Sequence, residues 1–263
     1  MTDIPDSAND TDRWLLEIFE EVTKAVLEAL DSVAERSSLG ERPGQYRIDL
    51  AADAAAIEIL HSNRLTTLSE ESGITSPDNA IDDITIVIDP IDGSTNAAHG
   101  IPWYATSICA VGADGTRVAL VSNLANGDTY RAINALGAWK NGKRLTTSSC
   151  STFAESIVGL SGFPGKYLGW SQYRALGAAS LDICLVAEGV LDCYGSVGLA
   201  HLGVWDYIAG KLICEEAGGC MRDTDGSNIV ALDHTTRHAI IAAANPMLLD
   251  QFYDRINTNS TTG

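Results

Sequence analysis

Apolar residues recur at helical spacing from Asp12 to about Arg36, with Leu15, Ile18, Val22, Val26 and Leu30 on one stripe, which predicts a long amphipathic helix. Gly40, Pro43 and Gly44 then break the pattern, so Ser37 to Tyr46 reads as a loop and Asp49 to Ser62 as a second helix. Leu65 to Leu68 reads as a short strand and Gly73 to Asn79 as a loop. The run Ile84-Thr85-Ile86-Val87-Ile88 is β-branched throughout and predicts a buried strand. Three β-prone segments follow, Trp103 to Val111, Thr116 to Asn123 and Thr129 to Ile133, separated by Asp114-Gly115 and Asn126-Gly127. With Asn141-Gly142 before Lys143-Arg144-Leu145, these turn signals predict an antiparallel sheet.

Beyond Thr147 the pattern changes to alternating strands and helices. Strands are predicted at Ile157–Ser161, Leu191–Tyr194 and His238–Ala244, and helices at Tyr173–Ala187, Val204–Ala217 and Pro246–Ile256. Gly218-Gly219 stops the second of these helices, and Pro246 opens the third. The chain therefore reads as α/β, with an α+β half over 1–146 and an α/β half over 147–263, packed as one unit. Neither an internal repeat nor a long linker separates the halves.

Residues 1–10 read as a polar leader. MTDIPDSANDTDR has neither the basic start nor the apolar stretch of a signal peptide, and no run reaches membrane-spanning length. Lys and Arg number 17 against 35 Asp and Glu, a formal net charge of −18, with no basic patch suited to nucleic acid. An anionic substrate is then held only where a cation reverses the local sign. Six cysteines lie mostly in apolar segments without CxxC spacing, which predicts buried free thiols, a cytoplasmic protein and no structural zinc.

Candidate chemistry concentrates in Ile84–Asn96, where the buried strand runs into Asp89-Pro90-Ile91-Asp92-Gly93-Ser94-Thr95-Asn96. Two carboxylates three residues apart at the end of a buried strand need a cation or donors to compensate them. Pro90 stiffens the backbone between them, and Gly93 allows close approach of a ligand. Ser94, Thr95 and Asn96 favour a helix start, whose free N–H groups suit an anion. Oxygen ligands for a divalent metal beside an anion site point to phosphate-ester chemistry. Alone, each aspartate equally reads as a turn or cap residue.

This segment resembles the DPIDGTTN signature of the inositol monophosphatase family, with Ser94 in place of the usual Thr. Trp205-Asp206-Tyr207-Ile208-Ala209-Gly210 with Glu215-Glu216-Ala217-Gly218-Gly219 resembles the family's WDxAAG…EAGG signature, and Ser69-Glu70-Glu71-Ser72 its GEES segment. The resemblance implies the layered αβαβα sandwich of the inositol monophosphatase and fructose-1,6-bisphosphatase type. It implies Mg²⁺ at two or three positions: one held by Glu70, Asp89 and the Ile91 carbonyl, a second by Asp89, Asp92 and Asp206, and a looser third at Glu70. Ions about 3.5–4 Å apart stabilise both the attacking and the leaving oxygen of an in-line displacement. By the same resemblance Glu70, Asp89 and Ser94 are catalytic, and a metal-activated water gives its proton toward Ser94 and Glu70. Gly93, Ser94 and Thr95 cradle the phosphate, while Asp92, Ala178, Ala179 and Asp206 meet the substrate. The family's acidic residue in its VTxAD-like segment maps to Asp53, which here reads as a plain helix-start aspartate.

The resemblance makes the substrate a small phosphorylated metabolite, first of all inositol monophosphate, and the assembly a lithium-sensitive homodimer; the charge and the lack of a long apolar run predict that it binds neither nucleic acid nor membrane. The carboxylate that contacts an inositol hydroxyl in typical members is replaced by Leu199, an apolar side chain without an acceptor. Thr95 stands where nucleotide-bisphosphate and histidinol-phosphate phosphatases have Lys. Asn96-Ala97, Gly100-Ile101-Pro102 and Lys211 to Gly219 resemble archaeal-type enzymes that act on both inositol phosphate and fructose 1,6-bisphosphate. A sugar bisphosphatase or broader sugar phosphatase is the alternative, and a regulatory binding protein a third reading.

Overall fold

A computed structural model describes residues 5, 7–81 and 83–257. The expected leader over 1–10 lies partly outside these residues. Helices α1 (Asp10–Ser32) and α2 (Arg47–Ser62) pack side by side on one face of an eight-stranded sheet. Its strands are β1 (Thr66–Ser69), β2 (Gly73–Thr75), β3 (Ile84–Asp92), β4 (Ala105–Gly112), β5 (Gly115–Asn123), β6 (Thr129–Ile133), β7 (Gly137–Lys140) and β8 (Lys143–Arg144). The spatial order is β2-β1-β3-β4-β5-β6-β7-β8, antiparallel from β3 to β8 as the turn dipeptides predict. β1 and β3 run parallel.

A second sheet, ordered β10-β9-β11-β13-β12, is built from β9 (Ile157–Ser161), β10 (Gln172–Arg174), β11 (Cys193–Ser196), β12 (Cys220–Asp223) and β13 (Ile240–Ala243). Helices α4 (Ala179–Ala187) and α5 (Val204–Glu216) fill the space between the sheets, and α6 (Pro246–Asn257) covers the far face. The short helix α3 (Ser94–His99) follows β3 directly.

Two-residue periodicity explains the layering. Ile86, Ile88, Ile108, Ala110, Val118 and Leu120 face α1 and α2, whereas Val87, Cys109, Val111, Ala119 and Val121 face α4 and α5. Ile240 and Ala242 join that central core, and Ile241 and Ala243 point to α6. A sheet covered on both faces needs apolar residues at successive positions, which accounts for the unbroken apolar runs in β3 and β4. The result is the expected αβαβα sandwich.

Some expectations need correction. The first helix ends at Ser32, four residues before Arg36, because Val33 turns extended. Gly73–Thr75 forms a strand within the expected loop. The helix expected over Tyr173–Ala187 is instead the edge strand β10, a turn at Gly177 with φ +94°, and the shorter α4. Strands β7 and β12 escaped the sequence reading. All six cysteines are free thiols, four of them buried.

Candidate active site

The site forms where β1 and β3 end together. The register pairs Ser69 with Ile88, so the parallel neighbours carry Glu70 and Asp89 out at the same end of the sheet. Pairing of β3 with β4 shifts between Asp89 and Asp92, an irregularity that re-aims the strand end and brings both carboxylates toward the interior. Asp206 arrives from the first turn of α5. Ser107 Oγ, from β4, donates to the Trp205 carbonyl at 3.2 Å and anchors that turn on the sheet. Ligand oxygens of Glu70, Asp89 and Asp206 lie within 4.8 Å of one another.

Asp89 and Asp92 are buried, and burial is the leading cause that raises every carboxyl of the cluster. Glu70 is pushed up to about 7 by burial and then by the charges of Glu71, Asp49 and Asp92. Asp92 rises to about 6 through burial, against hydrogen bonds from Ser180 and Ala179. Asp89 and Asp206 lie well above the usual carboxylate range, from burial and then their acidic neighbours. Such a group is stable in its ionised form only with a cation among its oxygens. The set is all oxygen, buried and convergent, which fits a hard divalent ion such as Mg²⁺.

Each aspartate also has protein partners. Asp89 Oδ1 accepts from the Ile91 N–H at 3.0 Å, and the Ile91 side chain packs into the outer core. Asp92 accepts from the N–H groups of Ala179 at 3.1 Å and Ser180 at 2.7 Å, and from the Ser180 hydroxyl. Ala178 and Ala179 are buried. The start of α4 is therefore a seat for Asp92, which stands outside the compact trio. Asp206 Oδ2 accepts from the Gly203 N–H at 2.7 Å, so Asp206 caps α5 and serves the cluster at once.

Gly93 carries φ +86°, and a Cβ there would meet Gly177 O at 3.0 Å and Trp103 O at 3.1 Å. Only glycine permits that bend, which places Ser94 at the first position of α3 and leaves Thr95 exposed. Asn96 Nδ2 ties this turn to the carbonyls of Trp103 and Leu176, both at 2.8 Å. Trp103 is half-buried and donates from Nε1 to Asp182 at 2.8 Å.

A cleft beside the acidic trio is lined by Arg42, Gln45, Asp49, Glu70, Glu71 and Ser94. Glu71 accepts from both Arg42 and Gln45, which fastens the loop before α2 to the turn that carries Glu70. Asp49 is the site residue that the sequence reading missed. Its Oδ2 accepts from the Tyr46 N–H at 2.7 Å, and its Oδ1 is buried without a hydrogen-bond partner. Burial raises it to about 6, while the facing Ser94 hydroxyl favours the ionised form. The available signal was an acidic residue at the start of a helix behind a Gly/Pro loop. Asp53 corrects the reading in the other direction. It is the seventh residue of α2, not its start, and it accepts from the buried hydroxyl of Ser69, next to Glu70. Leu199 is 97% exposed and offers no acceptor.

A sequence model of the Inositol monophosphatase family matches residues 14–260. The chain is 34% identical over 212 residues to the fructose-1,6-bisphosphatase/inositol-1-monophosphatase of Archaeoglobus fulgidus, covering 77% of this chain and 81% of that one. It is 30% identical over 232 residues to the Nus factor SuhB of Escherichia coli K12, covering 82% and 83%. Among solved structures it is similar to the Thermotoga maritima inositol monophosphatase, with a TM-score of 0.78, 24% identity, and 94% and 97% of the two chains covered. The family model and these relatives mark a class of phosphatases. The chain belongs to the inositol monophosphatase family.

Proposed function

We propose that the chain hydrolyses a small phosphate monoester with Mg²⁺, inositol monophosphate being the first candidate and a sugar phosphate such as fructose 1,6-bisphosphate the alternative. The carrying observation is the convergence of Glu70, Asp89 and Asp206 in a buried site with no cationic side chain in the trio. Asp92 joins them from its seat on α4, and the Ile91 carbonyl completes the proposed ligand set. Mg²⁺, when bound by these groups, neutralises the phosphate and lowers the pKa of the attacking water.

The chain's own residues do the rest. Backbone N–H groups of Gly93, Ser94 and Thr95 hold the phosphate oxygens at the start of α3. The Ser94 hydroxyl takes the water's proton while passing its own to the Asp49 carboxylate, with Glu70 beside it, as the water oxygen bonds to phosphorus and the ester P–O bond breaks. The departing alkoxide takes up a proton from a second water molecule, which gives the alcohol and inorganic phosphate. Asp92, Ala178, Ala179 and Asp206 face the alcohol. Residues 1–146 and 147–263 act as one catalytic unit, since Asp206 and the α4 seat come from the second half. Family resemblance supports a cytoplasmic homodimer with lithium sensitivity; among the described residues no helix is long and apolar enough to cross a membrane.

Mg²⁺-dependent phosphate release tests this reading on inositol 1-phosphate, fructose 1,6-bisphosphate, glycerol 2-phosphate, histidinol phosphate and adenosine 3′,5′-bisphosphate. Preference for inositol 1-phosphate supports the first candidate and means that another group compensates for Leu199. Preference for fructose 1,6-bisphosphate promotes the alternative. Metal binding without release from any substrate overturns the enzyme reading and favours a binding role, the direction in which the name of the Nus factor relatives points.

A further inference from the structure

Glu70 follows β1 and Asp206 lies in the first turn of α5, distant in sequence, yet one loop touches both of their neighbourhoods. His234 Nε2 lies 3.0 Å from the Glu70 carbonyl oxygen. A carbonyl only accepts, so Nε2 carries the proton and donates. The same imidazole packs on Trp205, next to Asp206, with ring centroids 4.9 Å apart, and a Cβ added at Gly73 would meet its ring at 3.9 Å.

The segment is held in that pose from both sides. Asp233 Oδ1 accepts from the Thr235 N–H at 2.7 Å, and Arg237 donates to the carbonyls of His234 and Thr236 at 2.8 and 2.9 Å. The Arg237 guanidinium also packs on Trp205, 4.7 Å from the ring centroid. At the far end His238 exchanges backbone hydrogen bonds with Leu202, four residues before Asp206.

We propose that His234 is a positioning residue: its ring bridges the Glu70 backbone and the Trp205 indole, and so fixes the separation of two carboxylates of the metal-site cluster. The proposal rests on the metal-site reading above. Neither His234 nor Arg237 belongs to the acidic trio, so the loop acts through the residues it holds. Outer residues that orient metal ligands typically govern affinity by about 10–100-fold, because a ligand free to swing must be ordered when the ion binds.

The test is Mn²⁺ binding to the full chain, measured by electron paramagnetic resonance without substrate, with thermal unfolding recorded in parallel. Three variants separate the two contacts: His234→Ala removes both, His234→Gln keeps a donor for the Glu70 carbonyl, and His234→Phe keeps only the ring. His234→Ala is expected to weaken Mn²⁺ binding by about tenfold or more, with the metal-free Tm unmoved. His234→Gln and His234→Phe are each expected to recover part of that loss. Mn²⁺ affinity in His234→Ala within about twofold of the parent overturns the proposal, as does a loss in Gln and Phe no smaller than in Ala. If the parent itself binds no Mn²⁺, the metal-site reading fails and the brace falls with it; an unmoved His234→Ala on a binding parent refutes the brace alone.

Discussion

Asp49 and Asp206 occupy the same position in their helices. Each is the third residue of its helix, α2 or α5, and each accepts at Oδ2, at 2.7 Å, the N–H of the residue three places back. One oxygen closes the helix end while the carboxyl group as a whole stays at the site. A side chain with one oxygen tied to its own helix has little freedom left, which is the order a metal ligand or proton acceptor requires.

Asp49→Asn and Ser94→Ala should each lower kcat by about 100-fold or more with little change in KM, since both remove the proton's path and not the phosphate's seat. The double variant should lose little more than either single one. Initial-rate kinetics at saturating Mg²⁺ decide this. Fully additive losses would show that the two side chains do not work together, and an unaltered kcat in Ser94→Ala would remove it from the reaction.

Asp89→Asn should cost several kcal/mol of transition-state stabilisation, about 1000-fold in turnover. Asp89 lies at the middle of the cluster, with burial followed by the charges of Glu70, Asp92 and Asp206 acting on it. Turnover within about tenfold of the parent would refute its role as the shared ligand.

Stability of the metal-free protein should fall as pH rises. Asp49 and Asp92 near 6 and Glu70 near 7 lie above their ordinary values of 3.8 and 4.5, so the folded state holds protons that the unfolded chain has released. Their contribution is complete below about pH 4 and is lost as pH passes through 6 to 7. Saturating Mg²⁺ should therefore raise Tm more at pH 8 than at pH 5. Calorimetry with and without Mg²⁺ reads this out, and a Tm gain independent of pH would contradict the acidic-cluster reading.

Gly93→Ala should destabilise the fold and abolish activity together. Its φ of +86° disfavours any side chain, and the new methyl would press on the carbonyls of Gly177 and Trp103. A loss of about 1–3 kcal/mol in chemical denaturation is expected. Retention of full activity would mean that the turn before Ser94 does not shape the phosphate seat.

Local pattern made much of this legible. Periodicity in α1 and the β-branched run in β3 are consequences of burial on one face and on two, and both can be read from neighbouring residues. Glu70, Asp89, Asp92 and Asp206 stand in motifs whose spacing follows the chain through a strand end or a helix start. Asp49 was hidden because its capping bond is sufficient reason for an aspartate there. Its second role depends on Ser94, 45 positions away. The seat of Asp92 on Ala179 and Ser180 is likewise a long-range contact with no local trace. The helix expected over Tyr173–Ala187 failed where Gly177 adopts its left-handed turn, since a glycine reads alike whether it sits inside a helix or ends one.

The parallel pairing of β1 with β3 turns the sheet into a ruler for the site. Because Ser69 is level with Ile88, an extra residue inserted within β1 turns the residues after it to the opposite face and carries Glu70, at the strand's end, out of step with Asp89. The connection between β2 and β3 carries no such register, and added length at residues 76–80 disturbs the hydrogen bonds of Ser76 with Thr66 and of Arg64 with the Asn79 carbonyl. Tolerance to insertion should thus switch from nil to generous within a dozen positions, and relatives of this chain are free to differ in length on one side of that boundary only.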